Sequence, residues 1–385
     1  MAIDQAPAPA QQASAQEIAR TVTVLGLESS CDDSAAAIVR LHGDGSAQVL
    51  AERVIGQNEA HAPFGGVVPE IAARGHAERM DTLAAEVLAE AELSVSELDA
   101  VAATAGPGLI GGVMAALMTA KGLALGAGLP LIAVNHLEGH ALSPRLTEPL
   151  AFPWLLLLVS GGHTQLLVVE GVGRMTRLGS TIDDAAGEAF DKSAKIMGLG
   201  FPGGPAVEAI AREAADPGRF PLPRMLAKDK SCDFSFAGLK TAVKRSWDAL
   251  EAPTPEDRAD LAAAAQAAIA RHLCERAGRA MAIFSERFAD LDRPLPLVVA
   301  GGVAANAAVR TGLEAACAEH GFRLIAPPMK YCTDNAAMIA LAGAERLRLG
   351  LTDPLDAPAR ARWPLDEHSA ANAPATGAGR KGPKA

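Results

Sequence analysis

The chain has 385 residues and a mass of 39.5 kDa, and 49% of the residues are hydrophobic, enough to bury a sizeable core in two domains or in one large domain of two halves. Its formal net charge of −10 argues against a general nucleic-acid coat but not against a local basic patch. The five cysteines are scattered and no basic leader is seen, which argues against a secreted protein. No apolar run reaches the roughly 20 residues of a membrane helix. We therefore expect a cytoplasmic protein.

The first half of the chain predicts a three-strand meander followed by alternating helices and strands. Residues 1–20 are rich in Ala, Gln and Pro, offer little to bury and are expected to be disordered. After them, apolar runs between turn residues predict strands, and a 3.6-residue apolar period predicts helices. We expect strands over 21–28, 35–41, 47–55, 98–106 and 131–135, and helices over 67–92 and 109–126.

The second half repeats this order of elements. Its expected strands cover 154–160, 165–171, 175–181, 295–302 and 322–328, and its expected helices cover 184–197, 305–321 and 333–350. A β-β-β-α-β-α-β-α pattern that occurs twice predicts an α/β protein of two tandem actin-like, RNase H-like lobes (the ASKHA superfamily) facing a nucleotide-binding cleft. The lobes are expected at 21–150 and 151–352, followed by a mostly disordered tail over 353–385.

The stretch NHLEGH (135–140) follows a predicted parallel strand, where α/β folds place ligand sites. On a helix His136 and His140 share a face and are able to bind one ion. Glu138 lies about 200° round the helix from His136, which disfavours the H-E-x-x-H protease role. Asp334 is the candidate third ligand, with a helix N-cap as its alternative role. This donor set suits Fe²⁺ or Zn²⁺; exposed or capping histidines are the alternative.

The turn SGGHT (160–164) follows a buried strand and is a candidate phosphate site. Ser160, Gly161 and Gly162 offer small, flexible backbone that can approach a phosphate closely. A plain hairpin turn is the alternative interpretation.

Further polar residues are candidates for contacts in the same cleft. Asp191 and Glu208 are candidate acceptors for ribose hydroxyls, and Asn306 is a candidate for the base or ribose; for Asp191 a solvated helix charge is the alternative. Asp32 and Asp33 sit in the polar turn after the first strand, where either is a candidate general base or metal second-shell group. Ordinary turn chemistry is the alternative for both.

Several common nucleotide and hydrolase motifs are absent or misplaced. G-x-G-x-x-G occurs at 106–111 and 198–203, but neither copy has the context of a Rossmann site. GxxxxGK[ST] and G-x-S-x-G do not occur.

Nine stretches in combination resemble the TsaD family of tRNA threonylcarbamoyladenosine transferases. The resemblance covers about 21–350 and rests on GLESSCDDSAAAIV, PEIAARGH, GPGLIGG, VNHLEGH, LLVSGGHTQLL, GEAFDKSAKIMGLGFPGGP, DFSFAGLKTAV, AGGVAANAAVR and KYCTDNAAMIA. It implies transfer of a threonylcarbamoyl group from threonylcarbamoyl-AMP to the exocyclic amine of the adenosine 3′ of the anticodon, in tRNAs that read codons beginning with A. AMP is the leaving group.

The resemblance also implies site residues and partners. The metal ligands would be His136, His140 and Asp334, with Fe²⁺ as the first expectation and Zn²⁺ as the alternative. The nucleotide and substrate contacts would fall on Leu158, Val159, Ser160, Gly161, Gly162, Asp191, Gly204, Glu208 and Asn306, and Asp32 would be an acid in the cleft. The implied partners are tRNA, a TsaB-type paralogue and a TsaE-type ATPase, with no membrane.

The segment 224–245 carries six basic and two acidic residues and is expected to contribute to the tRNA surface, with a solvated face as the alternative. The apolar helix 109–126 is a candidate interface for the paralogue, with core packing as the alternative.

Two rival functions are considered. One is an ATP-dependent sugar kinase or chaperone-like ATPase of the same fold, in which NHLEGH has no role. The other is a non-catalytic scaffold paralogue.

Overall fold

Two five-stranded mixed sheets form the framework of the molecule. The computed structural model describes residues 20–64 and 66–366, so most of the predicted N-terminal disordered segment, together with 367–385, lies outside the described residues. The strands are β1 Val22–Glu28, β2 Ser34–Leu41, β3 Ala47–Ile55, β4 Ala100–Gly106, β5 Leu131–Asn135, β6 Trp154–Val159, β7 Thr164–Gly171, β8 Arg174–Ser180, β9 Leu295–Ala300 and β10 Phe322–Ile325.

Helices flank both sheets. They are α1 Asn58–His61, α2 Pro69–Glu90, α3 Ile110–Ala127, α4 His136–Leu142, α5 Ala186–Ile196, α6 Gly203–Ala211, α7 Ala237–Asp248, α8 Pro255–Arg287, α9 Ala307–His320, α10 Met329–Cys332 and α11 Ala336–Arg348. Short 3₁₀ turns cover Ala62–Phe64, Val95–Glu97, Ser143–Leu146 and Gly302–Ala305.

The two sheets have the same topology. Their strand orders are β3-β2-β1-β4-β5 and β8-β7-β6-β9-β10. β1 pairs antiparallel with β2 and parallel with β4, and β6 pairs antiparallel with β7 and parallel with β9 in the same way. The predicted pair of tandem actin-like lobes is therefore confirmed.

The predicted elements are confirmed, with shifts of a few residues at their ends. Sequence analysis assigned no element between α6 and β9, where the structure has α7 and the long helix α8. Capping signals mark the start of α8: the Thr254 side chain accepts a hydrogen bond from the Asp257 N–H, and Pro255 occupies the first turn.

Alternation along β1 divides the apolar core between the two faces of the first sheet. Val24 belongs to a cluster that also contains α11 and the β6 residues Leu156 and Leu158. Leu25, the next residue, packs with α2 and α3 on the opposite face. The first sheet is thus covered on both faces, and the cluster around Val24 joins the two lobes.

Helix α11 connects the end of the chain to its beginning. It falls within the predicted second lobe at 151–352, yet it packs on β1, β2 and β4 of the first sheet. Residues 336–345 of this helix are all buried. Through α11, the cores of the two sheets are therefore continuous.

Residues 353–366, here called the C-terminal strap, fall within the predicted tail but lie against the folded lobes. The Asp353 N–H donates to the Leu131 carbonyl at 2.9 Å, which covers the free edge of β5. At the other end, an Asp366 carboxylate oxygen accepts from the Arg177 N–H at 2.9 Å. Since Arg177 belongs to β8, the strap runs from the first sheet to the second.

Candidate active site and metal centre

Loops from both lobes meet around one cavity of about 520 Å³ at the carboxyl ends of the central strands, here called the cleft cavity. It lies where doubly wound α/β folds bind ligands. The polar turns after β1 and β6, predicted to face one another, both line it. Its lining residues are Ser30, Cys31, Asp32, Asp33, Pro107, Gly108, Leu109, His136, Ser160, Gly161, Gly162, His163, Phe201, Pro202, Gly302, Thr333, Asp334, Ala361 and Arg362.

The two histidines of NHLEGH lie one turn apart on α4, which starts directly after β5. The Asn135 side chain caps this helix by accepting from the Leu137 N–H at 2.9 Å. His136 is 5% exposed and His140 is 1% exposed, which excludes the alternative of exposed histidines. Their rings are perpendicular, with centroids 4.7 Å apart.

Asp334 completes this group from the opposite end of the chain. Its Oδ1 lies 3.1 Å from His140 Nε2 and 3.4 Å from His136 Nε2. The alternative role of Asp334 as an N-cap is wrong, because the Asn335 side chain caps α11 by accepting from the Met338 N–H.

Glu28, the last residue of β1, orients His136 and was missed by sequence analysis. Its Oε2 accepts from His136 Nδ1 at 2.9 Å, and its carboxylate also accepts from the Thr104 hydroxyl and from the Ser30 N–H. Because Nδ1 donates to Glu28, Nε2 is the nitrogen that points toward Asp334 and would bind a metal after it loses its proton, as is usual for a metal-binding histidine. An acid that ends an otherwise apolar strand was the available signal.

The charges of this group favour a cation. Burial alone raises the pKa of Asp334, but the adjacent His136 and His140 hold it well below its usual range. Burial alone lowers the pKa of His136, but the Glu28 and Asp334 carboxylates raise it well above its usual range. For His140 burial dominates and the pKa is lowered, so this imidazole is neutral.

The donor set fits a divalent transition metal. Two imidazole nitrogens and one carboxylate oxygen lie within 4.8 Å of one another. Fe²⁺ and Zn²⁺ both bind such a set of ligands. At such metals a carboxylate commonly holds the second ring nitrogen of a histidine ligand, as Glu28 holds Nδ1 of His136.

The acidic turn after β1 places Asp32 and Asp33 on the wall of the cleft cavity. Burial, followed by the charges of Asp334, Asp32 and Glu28, raises the pKa of Asp33 to about 7. An acid with a pKa near neutrality is able to accept a proton at physiological pH and release it again.

The turn at Ser160–Gly162 forms the facing wall. The Ser160 hydroxyl accepts from the His163 N–H at 3.1 Å, which closes the turn. α5 approaches this turn through Gly187, where an added Cβ would lie 2.7 Å from the Gly161 Cα. The side chains of Leu158 and Val159 are fully buried in separate core clusters, so only their backbone is near this wall.

The remaining predicted nucleoside contacts lie outside the lining of the cleft cavity. Asp191 accepts from the Gly203 N–H at 2.7 Å. Apart from the adjacent backbone of its own helix, no described residue has a heavy atom within 4 Å of the position a Cβ on Gly204 would take. The structure brings Glu208 and Asn306 together, with 3.4 Å between Asn306 Nδ2 and Glu208 Oε2.

Asn306 and Glu208 are also held by their own helices. The Asn306 side chain caps α9 by accepting from the Val309 N–H and donates to Gln266 Oε1 at 2.8 Å. Glu208 pairs with Arg212 at 2.9 Å. Both side chains are therefore already held in place by other residues of the second lobe.

The fold and the cleft together define a two-lobed, actin-like α/β protein with a candidate metal centre. The model of the family TsaD, tRNA N6-adenosine threonylcarbamoyltransferase, matches residues 48–341. The chain belongs to this family.

Individual relatives agree with this assignment. A protein of Maricaulis maris (strain MCS10) named tRNA N6-adenosine threonylcarbamoyltransferase is 70% identical over 372 residues, which cover 97% of this chain and 98% of that one. A protein of the same name from Caulobacter vibrioides is 60% identical over 94% of this chain and 97% of that one. These relatives support a tRNA-modifying transferase rather than a sugar kinase or chaperone-like ATPase.

A solved structure shares the fold. Full-length HypF in its phosphate- and nucleotide-bound form aligns with a TM-score of 0.55 and 11% identity, over 85% of this chain and 46% of that chain. At this identity the likeness concerns the fold alone.

Proposed function

We propose that this chain transfers the threonylcarbamoyl group from threonylcarbamoyl-AMP to the exocyclic amine of the adenosine 3′ of the anticodon, in tRNAs that read codons beginning with A. The observation that carries the proposal is the convergence of His136 Nε2, His140 Nε2 and the Asp334 carboxylate beside the Ser160–Gly162 turn in one cavity. Family membership supplies the substrate class.

The reaction requires positioning more than covalent catalysis, because the mixed anhydride is already activated. The amine nitrogen attacks the carbamoyl carbon, the bond from that carbon to the phosphate oxygen breaks, and AMP leaves with the electron pair. Gly161 and Gly162 are proposed to receive the phosphate through their backbone N–H groups. The Ser160 N–H is bound to the His163 carbonyl at 2.9 Å, so Ser160 would donate through its hydroxyl instead. A divalent ion, Fe²⁺ before Zn²⁺, would act as a Lewis acid toward the carbonyl oxygen.

The proton of the attacking amine requires an acceptor. Asp32, the acid implied by the family resemblance, and Asp33 both line the cleft cavity. Asp33 is the better suited, because burial, and after it the neighbouring carboxylates, raises its pKa to about 7, where it is able to accept a proton and release it again.

The second-lobe residues Asp191, Gly204, Glu208 and Asn306 are proposed to contact the nucleoside where the cleft opens beyond the lining of the cavity. Asp191 supports this role, since burial raises its pKa and one of its oxygens is bound to the Gly203 N–H. The Leu158 and Val159 contribution would come from main-chain atoms.

Because the chain is acidic overall, we expect partner proteins to assist tRNA binding. α3 exposes four large apolar side chains, which supports the proposal of an interface with a TsaB-type paralogue. These are Ile110, Met114, Met118 and Leu125, each between 46% and 69% accessible.

Among the described residues, α3 is also the one helix that is long and apolar enough to cross a membrane. It packs on α2 and β4 within the first lobe, as a helix of a folded domain does. A TsaE-type ATPase and a cytoplasmic location complete the proposal.

Incubation with labelled threonylcarbamoyl-AMP and unmodified tRNA, with and without the partner proteins, tests the function. Wild-type protein should label tRNA, and His136→Ala and His140→Ala should each reduce labelling and metal content at least about 100-fold. His42→Ala, in the β2–β3 hairpin, is the control and should behave as wild type. Full labelling by both cleft variants would contradict the proposed role of the histidines.

A further inference from the structure

The C-terminal strap contributes a side chain to the cleft cavity that no sequence motif indicated. Ala361 and Arg362 line the cavity beside the turn after β4. The strap approaches this turn closely at Gly106, whose φ is +135° and where an added Cβ would overlap the Arg360 carbonyl. Only glycine adopts this conformation without strain and leaves room for the strap.

Hydrogen bonds on both sides of Arg362 fix its backbone at this position. The Arg360 N–H donates to the Ala105 carbonyl at 2.7 Å, and the Ala361 carbonyl accepts from the Gly108 N–H at 3.3 Å. On the other side, the Trp363 carbonyl accepts from Asn135 Nδ2 at 2.9 Å. Asn135 directly precedes His136, so the strap is anchored to the residue next to the candidate metal centre.

Arg362 places a positive charge on a cavity wall that carries several carboxylates. Three carboxylates line the cavity, those of Asp32, Asp33 and Asp334, and Arg362 is the one Lys or Arg among the described residues that line it. Its side chain is exposed, and no described residue holds it in an ion pair. A cation on the wall of an acidic cleft favours the entry of an anionic substrate, and a guanidinium is suited to bind two oxygens of one anion.

We propose that Arg362 is a substrate-binding residue whose guanidinium binds an oxyanion of the substrate in the cleft cavity. The inference rests on the proposed function, since threonylcarbamoyl-AMP carries two such groups, the phosphate and the threonine carboxylate. Either is a bidentate partner for a guanidinium. The strap is therefore part of the substrate site.

The test compares full-length wild type with Arg362→Gln and Arg362→Lys, together with partner proteins where wild-type turnover requires them. Arg362→Gln should raise KM for threonylcarbamoyl-AMP about tenfold or more, because a charge-assisted hydrogen bond to a bound anion is lost. The KM of Arg362→Lys should lie between those of wild type and Arg362→Gln, since lysine keeps the positive charge but lacks the planar guanidinium that binds two oxygens. Arg360→Gln, which removes a guanidinium that lies over the Trp363 ring and outside the cavity lining, is the matched control.

Calorimetric titration with AMP, which lacks the carboxylate, identifies the bound group. A raised Kd for AMP in Arg362→Gln assigns Arg362 to the phosphate. An unchanged Kd for AMP with a raised KM for the full substrate assigns it to the carboxylate. Values of both constants within twofold of wild type would overturn the inference. Absence of tRNA labelling by wild type would instead count against the proposed function, and Arg362 would then be judged from the calorimetric Kd values for AMP and threonylcarbamoyl-AMP.

Discussion

Two buried histidines, His136 and His272, differ in charge because their surroundings differ. His136 faces the carboxylates of Glu28 and Asp334, and these raise its pKa well above the ordinary value despite its burial. His272 on α8 packs edge-on against the rings of both Phe234 and Phe236, at centroid distances of 5.7 and 5.3 Å. Burial lowers the pKa of His272 to about 4, so this ring is neutral in the native state.

The low pKa of His272 predicts acid sensitivity of the fold. In the unfolded chain an imidazole titrates near pH 6.5, so below that pH the unfolded state binds a proton that the native state binds only near pH 4. The unfolding free energy should therefore fall as pH decreases through this window, by up to about 3 kcal/mol from this group.

Urea unfolding at pH 7 and pH 4.5 measures this effect. The loss of stability between the two pH values should be about 2 kcal/mol smaller in His272→Gln than in wild type. His42→Gln, a control that leaves His272 in place, should lose as much as wild type. An equal loss in His272→Gln would show that other groups cause the acid sensitivity.

The site residues differ in how far the sequence could reveal them. Helical spacing predicts a shared face for His136 and His140, and the strand-to-helix position of Asp334 predicts that it lines the cleft; the structure places all three together. Arg362 could not be found in this way, because it lies in a stretch without periodicity whose backbone is held by main-chain bonds to β4 and its turn. Such contacts depend on tertiary position and leave no local pattern.

At the scale of elements, α11 packs against the first sheet with almost no space between backbones. An added Cβ on Gly26 of β1 would lie 2.5 Å from the Ala340 N, and one on Gly343 of α11 would lie 2.5 Å from the Ala102 Cβ. Residues 336–344 carry no polar side chain, and a helix that is apolar all round is typically buried. This pattern does not say which sheet the helix covers, so the sequence predicted the element but not its lobe.

Gly26→Ala and Gly343→Ala should each destabilise the protein by about 1 to 3 kcal/mol, because the helix and sheet must move apart to admit a methyl group. Urea unfolding at pH 7 is the measurement. Gly122→Ala is the control, since Gly122 is exposed on α3 with no heavy atom within 4 Å of the added Cβ, and it should stabilise by up to about 1 kcal/mol. Wild-type stability in both close-packed variants would contradict this account.

At the scale of the whole molecule, a net charge of −10 coexists with a basic groove on the second lobe. Lys192, Lys240, Lys244 and Arg245 line this groove, between α5 and α7, together with Asp184 and Asp248. Lys240 and Lys244 come from the segment that sequence analysis assigned to the tRNA surface. The exposed pair of Lys244 with Asp248, at 2.8 Å, contributes little to stability and leaves the ammonium available to a phosphate.

Reversal of Lys240 and Lys244 to Glu should weaken tRNA binding and reduce the slope of log K against log salt by about two, since roughly one counterion is released for each phosphate contact. Binding isotherms at several salt concentrations measure this slope. The matched control reverses Arg53 and Arg323, exposed arginines on the outer strands β3 and β10, with the same change in net charge. Equal slopes in wild type and in Lys240→Glu/Lys244→Glu would remove α7 from the tRNA surface.

The return of α11 to the first sheet sets an order of assembly during translation. β1 to β5 leave the ribosome early, but the helix that covers one face of their sheet follows all the strands of the second sheet. A nascent chain therefore carries a half-bare first sheet while the second lobe is made, whereas domains that fold as separate units close their cores in order from the N-terminus. The lobe that is made first is the lobe that is finished last.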